Sequence, residues 1–260
     1  MRRIAILTIA LAIPAFCQTA PAPAAGATPA AAAADQGPKP KTKEENDALL
    51  AIGGAKDPDS QIKASEEFLS KFPDTDYKAQ MLFLQANAYH MKKDEPKAIV
   101  AGEKSLDVNP KDYETLLLMS EIYSRTTRST DLDMDDRLAK SDKYANTAMA
   151  ELKTAAKPNA SISDAEWAGV KQGETQRAYM ALGFSALLRK KYDDAKTNFQ
   201  KGIDLYPDPL DMLYIERAYT TAKRYDDALA WIDKAIGAQG VTDQVKKIAE
   251  DDKTRVQKMK

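Results

Sequence analysis

TQRAYMALGFSALLRKKYDDAKTNFQKGIDLYPDP, residues 175–209, reads as two helices joined by a tight turn. Tyr179, Leu182, Gly183 and Ala186 fall on one face of the first helix at helical spacing. After the basic turn Arg189-Lys190-Lys191, residues Ala195, Phe199 and Gly202 fall on one face of the second, and Pro207 stops it. Antiparallel helices approach closely only where side chains are small, which places Gly183 and Ala195 at the nearest approach, with Phe199 and Leu182 filling the space on either side. A bulky residue at Gly183 should overpack that seam, at a cost of roughly 1–3 kcal/mol. A lone hairpin cannot bury its apolar faces, so the pattern predicts stacked copies.

The copies are present. Lys191-Tyr192-Asp193-Asp194-Ala195 returns almost unchanged as Arg224-Tyr225-Asp226-Asp227-Ala228, with Ala228 33 residues after Ala195. Upstream, Ala64-x3-Phe68 repeats the second-helix pattern and Phe72-Pro73 closes it; Ala98 follows Ala64 by 34 residues. The unit around Ala98 has Leu82, Ala86 and Tyr89 on its first helix, Pro96 at the start of its second, and Gly102 where an aromatic residue is expected. The next unit opens with Leu116, Met119, Ser120 and Tyr123. A polar loop over 126–133 then interrupts it, and its second helix resumes near Met134 with Ser141, Ala145 and Ala148. Ser163 with Glu166 three residues on forms a capping box, starting a helix that runs through Trp167, Gly169 and Gly173 into the opening stretch. Residues 243–260 form a charged helix with a sparse apolar stripe, Val245, Ile248 and Val256, suited to covering the last unit.

An aromatic followed by Leu-Gly, a later Ala-x3-Phe, then Pro, at a period of about 34 residues, resembles the tetratricopeptide repeat (TPR) of bacterial exported proteins. The resemblance implies an all-α chain: an α-solenoid of about five helical hairpins over 43–242. The units fall near 45–78, 79–112, 113–157, 176–208 and 209–241, with 243–260 as a C-terminal capping helix.

Composition narrows the chemistry. The 260-residue chain is 30% charged and 43% hydrophobic, has a net charge of −1, and interleaves its signs, which gives no case for nucleic acid. With one Cys and one His, a Cys/His metal cluster and a serine–histidine triad are close to excluded on inventory, and neither cofactor, metal nor catalytic residues are expected. Arg2-Arg3 and the 13-residue apolar run from Ile4 to Phe16 read as a secretory signal over 1–17; the run is too short to span a bilayer, which takes about 20 residues. Cleavage after Cys17 is favoured over lipid attachment at Cys17, because bulky Phe16 precedes the Cys. Residues 18–42 are an Ala/Pro-rich linker. A periplasmic or secreted protein with no membrane span after cleavage is expected.

In the tetratricopeptide family the inner surface, lined mostly by first helices, binds peptides or partner helices. Carried over, the partner-binding candidates here are Gln80, Phe83, Asn87, His90 and Met91; Glu114, Leu117, Glu121 and Arg125; Arg177, Met180, Phe184 and Leu187; and Leu213, Arg217 and Thr220. Phe83, Met180 and Phe184 would be exposed apolar anchors, unless they pack against neighbouring helices. The family's two-carboxylate clamp is not assembled: Asn87 matches one element, but Phe83, Glu114 and Leu118 occupy the cationic places. The acidic run Asp131, Asp133, Asp135 and Asp136 lacks the central Gly and distal Glu of a calcium loop and reads as a solvated loop. The expected function is a non-catalytic scaffold in the bacterial cell envelope, gripping a protein or peptide in its groove. A groove that binds a small ligand, or an envelope-assembly lipoprotein anchored through Cys17, are the alternatives.

Overall fold

The computed structural model of the chain describes residues 38–159 and 161–260. The expected signal over 1–17, Cys17 included, and the linker up to residue 37 lie outside the described residues. Among the described residues are eleven α-helices and no strand. They pair as α1 Lys43–Gly53 with α2 Pro58–Lys71, α3 Lys78–Met91 with α4 Glu95–Val108, and α5 Tyr113–Thr126 with α6 Met134–Thr154. Then come α7 Asp164–Leu188 with α8 Tyr192–Leu205, α9 Pro209–Thr221 with α10 Tyr225–Ile236, and α11 Asp243–Met259. No helix among the described residues is long and apolar enough to cross a membrane.

Caps fix the starts. Thr42, Asp57, Asp94, Asp112 and Asp208 each accept a hydrogen bond from a first-turn N–H of the helix that follows, and Pro58, Pro96 and Pro209 stand where no amide donor is needed. Ser163 and Glu166 form the full capping box of α7, and the Trp167 Nε1–H donates to the Ala155 carbonyl (3.2 Å), closing the long α6–α7 hairpin. Thr126 and Thr127, at the head of the polar loop, both accept from Arg137 of α6 (2.9 Å each), which pins the loop where the repeat is interrupted.

The seams pack as the small residues dictate. Gly183 of α7 lies against the Phe199 ring of α8, so close that a Cβ there would overlap the ring. We expect Gly183→Ala to lower stability by about 1–2 kcal/mol in chemical denaturation, because a flat ring wedged between helices cannot swing aside. In the second unit, Met119 of α5 supplies the missing aromatic bulk: its sulfur occupies the space beside Gly102. A flexible thioether fills an irregular gap that a ring would otherwise occupy. The Tyr-Asp-Asp-Ala echo is structural as well. Tyr192 and Tyr225 each begin a second helix, and Ala195 and Ala228 are both fully buried.

Three hairpin turns share an unusual backbone. Lys93, Lys190 and Lys223 have φ of 63°, 60° and 58°, each two residues before a second helix. The next amide reaches back to the carbonyls of Tyr89, Ala186 and Tyr219 respectively (2.9 Å each), the six-to-one bond of a Schellman turn. A side chain in that left-handed region is strained, so Lys190→Gly should raise stability by about 0.5–1 kcal/mol, read as a shifted denaturation midpoint.

The array bends toward its first helices. α3, α5, α7, α9 and α11 touch one another in sequence, whereas α4, α6, α8 and α10 touch only first helices and α11, never each other. Rows in mutual contact on one side and spread on the other make that first side the inner wall. At the leading end of the described residues, α1 packs on α2, its Leu49 and Ile52 share a core with Met81 of α3, and its Glu45 carboxylate accepts from the Thr75 hydroxyl. The backbone leading into α1 is stitched to the same turn before α3: the Tyr77 hydroxyl donates to the Pro38 carbonyl (2.6 Å), and Lys41 pairs with Asp76 (2.9 Å). Three adjoining cores run along the array, one in α1–α3, one in α3–α7 and one in α7–α11.

Candidate functional site

The inner wall is built from α3, α5, α7 and α9. Its centre is a charged pair held across two helices. Glu121 of α5 receives both Nε and Nη2 of Arg177 of α7 (2.9 Å each), and the third guanidinium nitrogen reaches Glu174 (2.6 Å). Burial pushes the Glu121 carboxyl up, but the guanidinium more than reverses this and holds it below the ordinary carboxylate value. Two turns earlier on α5, Glu114 has among the described residues the Tyr113 hydroxyl within reach (3.5 Å) and no ion pair; burial first, then Asp112 and Glu174, push its pKa up to about 7. On α9, Asp211 accepts from Gln176 Nε2 (2.6 Å), and burial raises its pKa too, with Asp208 adding repulsion.

Beyond this polar centre lies an aromatic one. The Arg125 guanidinium at the end of α5 stacks over Phe184 of α7 (5.0 Å) and Tyr214 of α9 (5.6 Å). Tyr214 is 47% exposed and Leu210, one turn before it, 42%. Arg217 continues the α9 stripe, lying over the Tyr214 ring and 3.7 Å from Asp252 of α11.

The candidates read from sequence divide into three groups. Gln80 and Met91 are exposed on α3; Phe83, Asn87 and His90 are half-buried there, with the Asn87 amide beside the Met91 sulfur (4.0 Å) and His90 Nδ1 paired with Glu95 (2.9 Å). Glu114, Glu121, Arg125, Arg177, Phe184 and Arg217 meet on the wall described above. Leu117, Met180 and Leu187 do not: all three are buried, as are Leu213 and Thr220. Phe83 and Phe184 pack against the cores beneath them, so the open apolar anchor is Tyr214. The correction has one cause. Each inner helix has neighbours on both flanks as well as behind, so only a narrow stripe stays open. Leu117 turns sideways into the core it shares with Ala178 and Ala181 of α7, and Met180 and Leu187 turn into the core they share with Leu213 and Ile215 of α9. On α9 the open stripe is Leu210, Tyr214 and Arg217, and its four- and three-residue spacing was available in the sequence.

Two clefts lie off the wall. One of about 290 Å³ sits among α6, α7 and α8, lined by Asp142, Arg189, Lys191 and Lys201. The other, about 730 Å³, lies between the start of α4 and the inserted loop, beside the fully exposed Leu132. Asp131 in that loop accepts from the Arg128 amide (2.8 Å).

No protein-family profile matches the sequence, and no curated protein matches it. Among solved structures, the fold is similar to a thermophilic TPR protein of Thermus thermophilus, with a TM-score of 0.52 at 16% identity, over 80% of this chain and 97% of that one. An assembly chaperone of RpL4 (residues 1–338) gives a TM-score of 0.39 at 10% identity, over 84% of this chain and 97% of that one. The helix pairing, the seam residues and the first of these likenesses agree: by fold, this is a tetratricopeptide-like helical-repeat protein.

Proposed function

We propose that this protein is a non-catalytic interaction scaffold of the bacterial cell envelope that holds a protein or peptide partner against its inner wall. The supporting observation is the Tyr214–Arg125–Phe184 cluster: a guanidinium held over two rings, with one ring half open to solvent. Such rigid aromatic and arginine surfaces, ready-formed and presented by three helices at once, are the kind that dominate protein recognition. The placement in the envelope rests on Arg2-Arg3 and the apolar run behind them.

The test is affinity capture from envelope extracts with the wild type and with Tyr214→Ala/Arg125→Ala. A specific partner held by the wild type and lost from the double variant, with helicity unchanged, supports the reading. A partner retained by the variant removes the wall from it, and a cytoplasmic location on cell fractionation removes the envelope.

A further inference from the structure

The wall described above carries an imbalance of charge that its own residues do not resolve. Glu114, Glu121, Glu174 and Asp211 face one another from α5, α7 and α9, and one guanidinium, Arg177, is shared between two of them. Among the described residues Glu114 and Asp211 are left without an ion pair, one on each side of α7. Further carboxylates crowd them, Asp112 beside Glu114 and Asp208 beside Asp211. The nearby cations are engaged elsewhere: Arg177 with Glu121 and Glu174, Arg125 over the Phe184 and Tyr214 rings, and Arg217 with Asp252. Beside this carboxylate edge stand the open Leu210 and Tyr214 side chains.

Half-buried carboxylates without counter-charges are costly unless something supplies one. We infer that the partner segment seated on this wall carries lysine or arginine side chains interleaved with apolar ones, its cations placed at Glu114 and Asp211 and its apolar side on Tyr214 and Leu210. The inference rests on the proposed function and names the class of partner. Charge complementarity selects the occupant: an acidic segment would meet two carboxylates, Glu114 and Asp211, that Arg177 does not pair, and a purely apolar one would bury them without relief.

The probes are two short fluorescent peptides of equal length, one of leucine and lysine and one of leucine and glutamate, titrated into the full chain at pH 8 and low salt by fluorescence anisotropy. The lysine peptide should bind and the glutamate peptide should not. Glu114→Gln/Asp211→Asn, nearly isosteric and checked by circular dichroism, should weaken the lysine peptide about tenfold or more, while Glu250→Gln, on the exposed face of α11, leaves it unchanged. Added salt should weaken wild-type binding and have little effect on what remains in the double variant. Equal binding of the two peptides, no binding of the lysine peptide, or an unchanged Kd in the double variant overturns the inference. If both peptides bind equally and Tyr214→Ala weakens both, the groove stands and only its charge preference falls. A dimer in analytical ultracentrifugation that Tyr214→Ala dissociates and Glu114→Gln/Asp211→Asn leaves intact assigns the wall to a second copy of the chain, and also overturns the inference.

Discussion

Replacing Phe199 by alanine is expected to cost about 3–5 kcal/mol, the largest single effect in the molecule. The ring is fully buried and meets Phe184, Tyr219 and Trp231 edge-on, with centroids 5.0, 6.0 and 6.4 Å away. It therefore joins α7, α8, α9 and α10, and no neighbour can collapse into its place without breaking another of these contacts. Equilibrium denaturation should show a lower midpoint, and hydrogen exchange should speed up in α7–α11 while α1–α4 keep most of their protection, because each hairpin is supported only by the next. A loss under about 1 kcal/mol would show that the seam repacks and that the ring is not its keystone. The same ring explains the strain expected from Gly183→Ala. In the Phe199→Ala background that added methyl should become neutral or favourable, a coupling that a double-mutant cycle measures directly.

The second large effect is a pH dependence centred on Glu114. Folded, this carboxyl keeps its proton to about pH 7; unfolded, it gives the proton up near 4.5. Burial is the main cause; Asp112 and Glu174 add to it, and Arg177 opposes them. The folded state thus binds the proton more tightly. The stability this contributes is complete below about pH 4.5 and is lost as the pH rises through 7. Between pH 5 and pH 8 the wild type should lose about 1–3 kcal/mol through this group. Glu114→Gln, which carries no charge to bury, should lack that decline and exceed the wild type in stability at pH 8. Parallel stability–pH curves for the two proteins would show that Glu114 titrates normally in the fold.

The repeat architecture was legible because its signals are local and redundant. Ala195 with Phe199, Ala64 with Phe68, and the Tyr-Asp-Asp-Ala echo each specify a close seam, and the prolines and caps set the ends. The inserted loop was visible as a polar break in spacing. Gly102 was visible only as a gap, since its filler, Met119, comes from the following helix, and a contact between units leaves no mark within either one. The wall was half legible for a related reason. A stripe of three- and four-residue steps names one face, but the boundary between an open face and a flank depends on how closely neighbouring helices approach. That boundary sent Met180, Leu187 and Leu213 inward and left Tyr214 outside. The lack of an ion pair for Glu114 among the described residues could not be read at all, because it depends on where Arg177 spends its nitrogens.

The stitching of residues 38–41 onto the turn before α3 also sets the route by which tension would travel. A pull on the segment ahead of residue 38 is taken up first by Tyr77 and Asp76, at the root of the second hairpin, where Glu45 ties α1 to the same turn through Thr75. A domain hung from its leading end would bear load through α3 onward while α1 and α2 remained folded beside the tether.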